Sequence, residues 1–579
     1  MNITTPAIVT QSAVRRLPRV ALILFCVAYV LPGFLGREPW KLADVSAFGV
    51  MREMAMGHTG WWAPAVLGQP VDEAGPLPYW LGAAFIRLLP FVDASLAARI
   101  PFALLLGLAL ACTWYAAYHL ARQDSAQPVA FAFGGEAQPV DYARTLADAA
   151  LLALVASLGL AQLSHETTPD LARLSASSVL LLGAARLAQP QKHSPGRSLL
   201  VWSAGTAALA FSGAPWIAMT VGGGLLLAMG LWRPSVTPDP VERDQHHRIL
   251  MLAALCLLAV TAAAASAGLF QWPALDWPLT TADWRRWGQL LIWFTWPTWP
   301  LVLWTLWRWR RRLHQPHVAL PLWAALVSVT NSAINPDFDR ALLLALPALA
   351  VLAALALPTL SRSVAALIDW FTLLFFTGCA LVIWIIWGSM MTGVPAKPAA
   401  NVAKLAPGFV PEFTALPFAV AVLGTLAWVW LVSWRVGAHR QALWKSLVLP
   451  AGGATLCWLL LMTLWLPLLD HARSYGPLSR RVAALVPAGH CVVADQLSPA
   501  QIAALQYHGG LQLIRSNAPA TSWRHCQALV TTPQGRASLA KRMDLSAWTL
   551  KANVWRIDDR RERLLVYVRV QPKADGGVR

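Results

Sequence analysis

Apolar residues in this chain do not alternate with polar ones; they come in long unbroken runs. Between Val20 and Leu469, stretches of about 16 to 25 residues dominated by Leu, Ala, Val, Ile, Phe and Trp recur, separated by short segments that carry Arg, Pro and Gly. About 20 apolar residues is the length a helix needs to cross a bilayer, and in lipid a helix satisfies its own backbone groups. A membrane β-barrel would instead show short strands with every second residue apolar. The runs predict about thirteen spans, at 20–35, 98–120, 143–163, 172–188, 198–213, 215–232, 249–269, 287–307, 318–334, 340–358, 364–388, 413–434 and 446–468. From about residue 475 the pattern changes to short segments. CVVADQL, LQLIRS, CQALVTT and RERLLVYVRV read as strands and AQIAALQYHGG as a helix, a small α/β unit. The expected fold is an all-α polytopic membrane region over 1–474 followed by an α/β domain over 475–579.

Composition agrees with this pattern. Of 579 residues, 57% are hydrophobic and 13% charged, about half the charge of a soluble domain, which excludes a soluble enzyme, a fibre or a disordered chain. The net charge of +18 does not make the chain a nucleic-acid binder. Its basic residues sit in short loops between apolar runs and form no basic tract with interleaved aromatics. Arg15, Arg16 and Arg19 precede the first run, which no A-x-A cleavage signal follows, so it reads as a retained anchor with a cytoplasmic N-terminus. The loops around Arg122, Arg186, Arg243, Arg308, Arg362 and Arg435 then also fall inside, provided residues 79–89 lie along the membrane surface instead of crossing it. An odd number of spans leaves the tail outside. Five cysteines lie within apolar runs and read as small buried hydrophobes, with no metal-cluster spacing. Cys491 and Cys526, in the tail, are candidates for a disulfide in an oxidising compartment.

Chemistry is expected at the outer rim. The loop from Gly36 to Ala97 is far longer than a hairpin needs, and charged residues recur at the corners SHETTPD and NPDFDR. In the tail no nucleophile, His and acid arrangement is visible, so it reads as a stabilising or partner-contacting appendage. The ten Trp between 272 and 309 read first as an interfacial aromatic belt.

The stretch REPWKLADVSAFGVMREMAMGHTGWWAPAVLGQPVDEAGPLPYWLGA resembles the first periplasmic loop of the bacterial aminoarabinose transferases of lipid A and the wider protein-mannosyltransferase-like group. That pattern runs P-x-W-x-x-D-E, R-E-M, W-x-x-P, G-x-P, E-K-P-P and Y-W. ARIPFALLLGLAL, LAFSGAPW, WFTWPTWPLVLWTLWRWRRR and LLLALPALAVLAA follow in the family's order, so the likeness covers roughly residues 15 to 360. It implies a GT-C glycosyltransferase of the bacterial inner membrane, with a polyprenyl-phosphate sugar donor, a lipid or glycan acceptor such as lipid A, and a site facing the periplasm. The family's D-E falls on Ala43 and Asp44, its E-K-P-P keeps Glu73 but has Ala74 for Lys, and Gly213 stands where T-K-G-P has Lys. At the ninth-to-tenth corner the Lys and Tyr align with Asp337 and Ala341. The resemblance therefore gives Asp44, Glu73 and Asp170 as catalytic candidates, and Lys41, Arg52, Tyr79, His165 and Arg340 as substrate-binding candidates, the cations standing in near phosphate. No His matches the family's metal position, with His165 and His58 the nearest, so no metal ligand set is assigned and a divalent metal stays open. The alternative reading is a non-catalytic relative, or a lipid or sugar transporter on the same scaffold.

Overall fold

The computed structural model describes residues 5–71, 75–189, 194–232, 239–270, 280–335, 337–437, 442–543 and 545–569. The helices that organise it are α1 (Arg19–Val30), α2 (Lys41–Met56), α3 (Leu77–Leu88), α4 (Ala94–Ala121), α5 (Pro139–Ala156), α6 (Pro169–Leu187), α7 (Pro195–Phe211), α8 (Pro215–Leu231) and α9 (Pro240–Ser266). They continue as α10 (Thr281–Phe294), α11 (Thr298–Arg308), α12 (Pro316–Ile334), α13 (Phe338–Thr359), α14 (Arg362–Thr392), α15 (Ala396–Leu405), α16 (Ala415–Gly437), α17 (Lys445–Leu464) and α18 (Leu466–Arg473). Six of them begin on a proline, whose fixed φ suits the first turn and whose missing N–H is not needed there.

Among the described residues seven helices, α4, α9, α12, α13, α14, α16 and α17, are long and apolar enough to cross a membrane, and the protein is a multi-pass membrane protein. The other expected runs are shorter or more polar. The run at 287–307 breaks at Pro297 into α10 and α11, and that at 143–163 ends with α5 at Ala156. The centre of the bundle is α5, buried from Tyr142 to Ala156 apart from Arg144, together with α13, 94% of whose span lies inside the protein; only 11% of α16 does.

Residues 36–71 and 75–93 form a folded cap. It comprises α2, a hairpin of β1 (Ala65–Val66) and β2 (Gln69–Pro70), and α3, twelve residues long and so too short to span. The tail opens with α19 (Gly476–Ala483) and builds a mixed sheet in the order β4-β3-β5-β7-β6. Strands β3 (Val492–Asp495), β4 (Leu513–Arg515) and β5 (Ala528–Thr531) run parallel, linked by α20 (Pro499–Tyr507) between β3 and β4. β7 (Arg563–Arg569) pairs antiparallel with β5 and with β6 (Trp548–Trp555). The strand β6 carries polar residues on most of its exposed positions and had no apolar signature in the sequence. Cys491 and Cys526, just before β3 and β5, are joined in a disulfide. The tail lies directly on the cap: a Cβ on Gly49 of α2 would fall 2.3 Å from the Cβ of Ala503 of α20, so these two helices touch where glycine permits it.

Candidate active site

The site forms where three corners meet: the N-terminal turn of α2, the segment 157–168 between α5 and α6, and the start of α13. Asp44 lies in the first turn of α2 with its side chain wholly buried. Its Oδ2 accepts from Arg37 Nη2 at 2.9 Å and from the Trp40 N–H at 3.0 Å, and its Oδ1 accepts from the N–H and the hydroxyl of Thr167 at 2.8 and 2.7 Å. Four donors thus converge on one carboxylate, and they tie the cap to the segment before α6. Arg37 Nη2 also donates to the His165 carbonyl at 2.7 Å.

Next to this lies a branched ion network. Arg340 Nη2 contacts Glu166 Oε2 at 2.5 Å and its Nη1 contacts Asp170 Oδ2 at 3.1 Å, while Arg173, one turn on in α6, reaches Asp170 Oδ1 at 3.1 Å. Arg173 Nε also donates to the Ser212 carbonyl at 2.8 Å. Gln162 donates to Glu166 Oε1 at 3.4 Å and accepts from Arg473 of α18 at 3.3 Å. Burial pushes the Glu166 carboxyl up, against the pull of Arg340.

A close backbone approach completes the corner. Gly213 has φ +84°, and a Cβ on Gly75 would lie 2.2 Å from the Gly213 nitrogen, so the cap backbone at Gly75 rests on the α7–α8 turn. A Cβ on Gly213 would meet Arg173 Nη2 at 2.9 Å. The space that a lysine at 213 would enter is therefore occupied by the Arg173 guanidinium.

About one to two helical turns along α6 and α13 from Asp170 and Arg340 lies a narrow, mostly apolar pocket lined from α6, α8, α12 and α13. Ser177 and Leu181 continue the Asp170 face of α6, and Leu344, Pro347 and Ala348 the Arg340 face of α13; Val221 and Ser328 close the opposite side.

The expected site residues divide by place. Asp44, Asp170, His165 and Arg340 converge here. Lys41, with φ +55° at the start of α2, is close enough to act electrostatically on Glu166. Tyr79 is buried on α3. His165 is buried against Tyr29, Phe34 and Trp458, with Nδ1 facing the Ala161 carbonyl and Nε2 the Tyr29 carbonyl. Burial lowers its imidazole to about 3. Both nitrogens face backbone carbonyls, so the ring is placed as a brace and not as a ligand. Arg52 lies eight residues, about 12 Å, further along α2 and stacks over the Tyr507 ring at 5.6 Å, on the tail side. His58 lies 3.5 Å from Glu53. Glu73 and Ala74 lie outside the described residues. Among the described residues, ligand-type atoms gather within 4.8 Å only at Cys491, His525 and Cys526, where the two sulfurs bond each other.

Sequence reasoning missed Arg37, Thr167, Arg173 and Asp470. Arg173 had a local signal, since positions i and i+3 of a helix share a face. Asp470 had none. It accepts from the Trp40 indole N–H at 2.6 Å and the Glu38 N–H at 3.2 Å, and burial raises its carboxyl to about 7.

The chain matches no protein-family model and no curated protein. Its fold is nonetheless that of ArnT from Cupriavidus metallidurans. The crystal structure of that protein bound to undecaprenyl phosphate superposes with a TM-score of 0.61 at 16% identity, over 95% of this chain and 98% of that one. Its apo state gives 0.60 at 17%, over 95% and 96%. The resemblance carried by the first-loop motif thus extends to the architecture of the whole chain.

Proposed function

We propose that the chain is a GT-C glycosyltransferase that moves a sugar from a polyprenyl-phosphate donor to a lipid or glycan acceptor, lipid A or another envelope glycolipid, at the periplasmic face of a bacterial inner membrane. The observation that carries this reading is a branched cluster of two arginines and two carboxylates with a narrow, mostly apolar pocket about one to two turns further along the same two helices. A lipid phosphate has that same division into a charged head and a long apolar chain. The protein of like fold that holds undecaprenyl phosphate supports the same donor class.

The acceptor oxygen attacks the anomeric carbon, the bond from that carbon to the phosphate oxygen breaks, and the phosphate leaves with the electron pair. Arg340 and Arg173 supply positive charge near the departing oxygens, and a carboxylate, Asp170 of the cluster or Glu73 of the first loop, takes the acceptor proton. Asp44, with four donors on it, holds Arg37 and Thr167 in register and so shapes the acceptor side. Lys41 and Tyr79 border the same cap, and Arg52 stands at its far end. The rival reading, a non-catalytic relative, draws on the missing lysines. Arg173 beside Gly213 weakens it, because the charge absent from one corner is brought by the neighbouring helix. The topology that follows has the N-terminus in the cytoplasm and the tail in the periplasm.

The test is mass spectrometry of lipid A and of undecaprenyl-phosphate sugars from cells with and without the chain. A sugar-sized mass lost from an envelope acceptor, with the lipid-linked donor accumulating, is the expected result. Unchanged acceptors with no donor accumulation would overturn the reading, and unaltered transfer in Asp44→Asn and Glu73→Gln, made separately, would remove both from the site.

A further inference from the structure

The last membrane span does not end its work at Leu464. After Trp465 the chain turns into α18, an eight-residue helix started by Pro467, whose polar residues at i and i+3, Asp470 and Arg473, share one face. That face meets both halves of the site. On the cap side, Asp470 Oδ1 accepts from the Trp40 indole at 2.6 Å and from the Glu38 N–H at 3.2 Å, and Trp40 pairs as an antiparallel bridge with Ser474. On the other side Arg473 reaches Gln162, which donates to Glu166.

Trp40 is the junction. It is 1% exposed, and while its indole is held by Asp470 its backbone N–H donates to Asp44. The Arg37 guanidinium that holds Asp44 lies 4.8 Å from the centre of the same ring, and that of Arg473 lies 5.7 Å from it. A buried indole N–H left without an acceptor is costly, so the ring stays where Asp470 puts it, and the first turn of α2 follows the ring.

We propose that Asp470 is a positioning residue of the transfer centre: through Trp40 it fixes the N-terminal turn of α2, and with it Asp44, against the corner that carries Glu166. Its catalytic consequence rests on the transferase reading above, whereas the positioning itself does not. The helix after the last span thereby couples α17 to the N-terminal turn of α2, a role with no counterpart in the motif of the first loop.

The experiment uses the purified full chain in detergent with Asp470→Ala, Asp470→Asn, Trp40→Phe and the double variant Trp40→Phe/Asp470→Ala. Two quantities are read: backbone amide exchange over residues 37–47, and steady-state transfer from an undecaprenyl-phosphate sugar. Asp470→Ala and Trp40→Phe should each speed exchange over 37–47 by tenfold or more while leaving residues 492–531 unchanged. Asp470→Asn, whose side-chain oxygen still accepts both N–H groups, should recover most of that protection. Transfer should fall about tenfold in kcat, with the donor KM within about threefold, and the double variant should be no worse than Asp470→Ala alone. Wild-type exchange over 37–47 in Asp470→Ala would overturn the proposal whether or not the chain transfers sugar, as would additive losses in the double variant. If the wild type transfers no sugar from any donor, the proposed function fails and the exchange data still decide the positioning. Should Asp470→Ala not fold, Asp470→Asn and Trp40→Phe carry the same comparison.

Discussion

Two ion pairs inside the helical bundle show what separates a site from a brace. Asp369 on α14 and Arg435 on α16 form an ion pair between two helices that lie mostly outside the protein core, with Lys445 of α17 acting on the same carboxylate. Arg340 instead divides its guanidinium between Glu166 and Asp170, and Asp170 is shared with Arg173. An ion pair between two peripheral helices holds those helices together. A branched cluster leaves its members partly committed to several neighbours, so a substrate oxygen can replace one of them without stranding a charge. The comparison teaches that the number of buried charges in a membrane protein says less about function than how they are shared.

The sharpest way to break this comparison is to neutralise one cation in each region. Arg340→Gln should lower transfer from an undecaprenyl-phosphate sugar by about a hundredfold or more, the scale seen when charge stabilisation of a leaving group is lost. Arg435→Gln should leave transfer within about threefold and show only as a lower melting temperature. Equal losses in the two would mean that the branching carries no functional meaning. The next effect in size concerns the corner. Gly75→Ala places a Cβ 2.2 Å from backbone at Gly213, which no side-chain rotation relieves, so thermal unfolding should shift down by several degrees, on the order of 1–3 kcal/mol of overpacking. Gly213→Ala should lower it as well, because its φ of +84° disfavours any side chain and the added Cβ would meet the Gly75 nitrogen at 3.1 Å besides Arg173 Nη2 at 2.9 Å.

A smaller effect separates Asp470 from Asp44. The folded-state carboxyl of Asp470 stands at about 7, from burial first, with Glu38 of the cap facing it and Arg99 of α4 opposing. In the unfolded chain it returns to roughly 4. Between those values the folded chain binds more protons, so its stability falls as the pH rises through that window and is level above it. Thermal unfolding of the wild type between about pH 4.5 and 7.5 should show this slope, and Asp470→Asn should flatten it; an unchanged slope would place its origin elsewhere. The smallest effect belongs to Arg52. Its stacking on Tyr507 makes Arg52→Gln a loss of about 0.5–1 kcal/mol in docking of the tail, read as a slightly lower protease resistance of residues 475–569, with transfer changed by less than about threefold.

Much of the architecture follows from local pattern. Unbroken apolar runs specify helices because lipid leaves the backbone no other way to satisfy itself, prolines mark where six of them start, and short apolar stretches bounded by turn residues gave four of the five tail strands. The fifth, Trp548–Trp555, escaped because it is an edge strand with most of its residues exposed. Of the site, Asp44, Asp170 and Arg340 were legible through the order of motifs around them, and Arg52 was placed too near, since sequence spacing does not tell which face of α2 meets the tail.

What the chain's sequence determined alone is thus its class of solvent, its helices and the rim on which its charges gather, because hydropathy and periodicity are properties of neighbours in sequence. Only the tertiary structure decided the partners: Thr167 on Asp44 across 123 positions, Arg340 on Glu166 across 174, and Trp40 on Asp470 across 430. Hydrogen-bond partners inside a bundle are chosen by which helix ends pack together, and that choice belongs to the summed burial of the whole chain, not to any stretch of it.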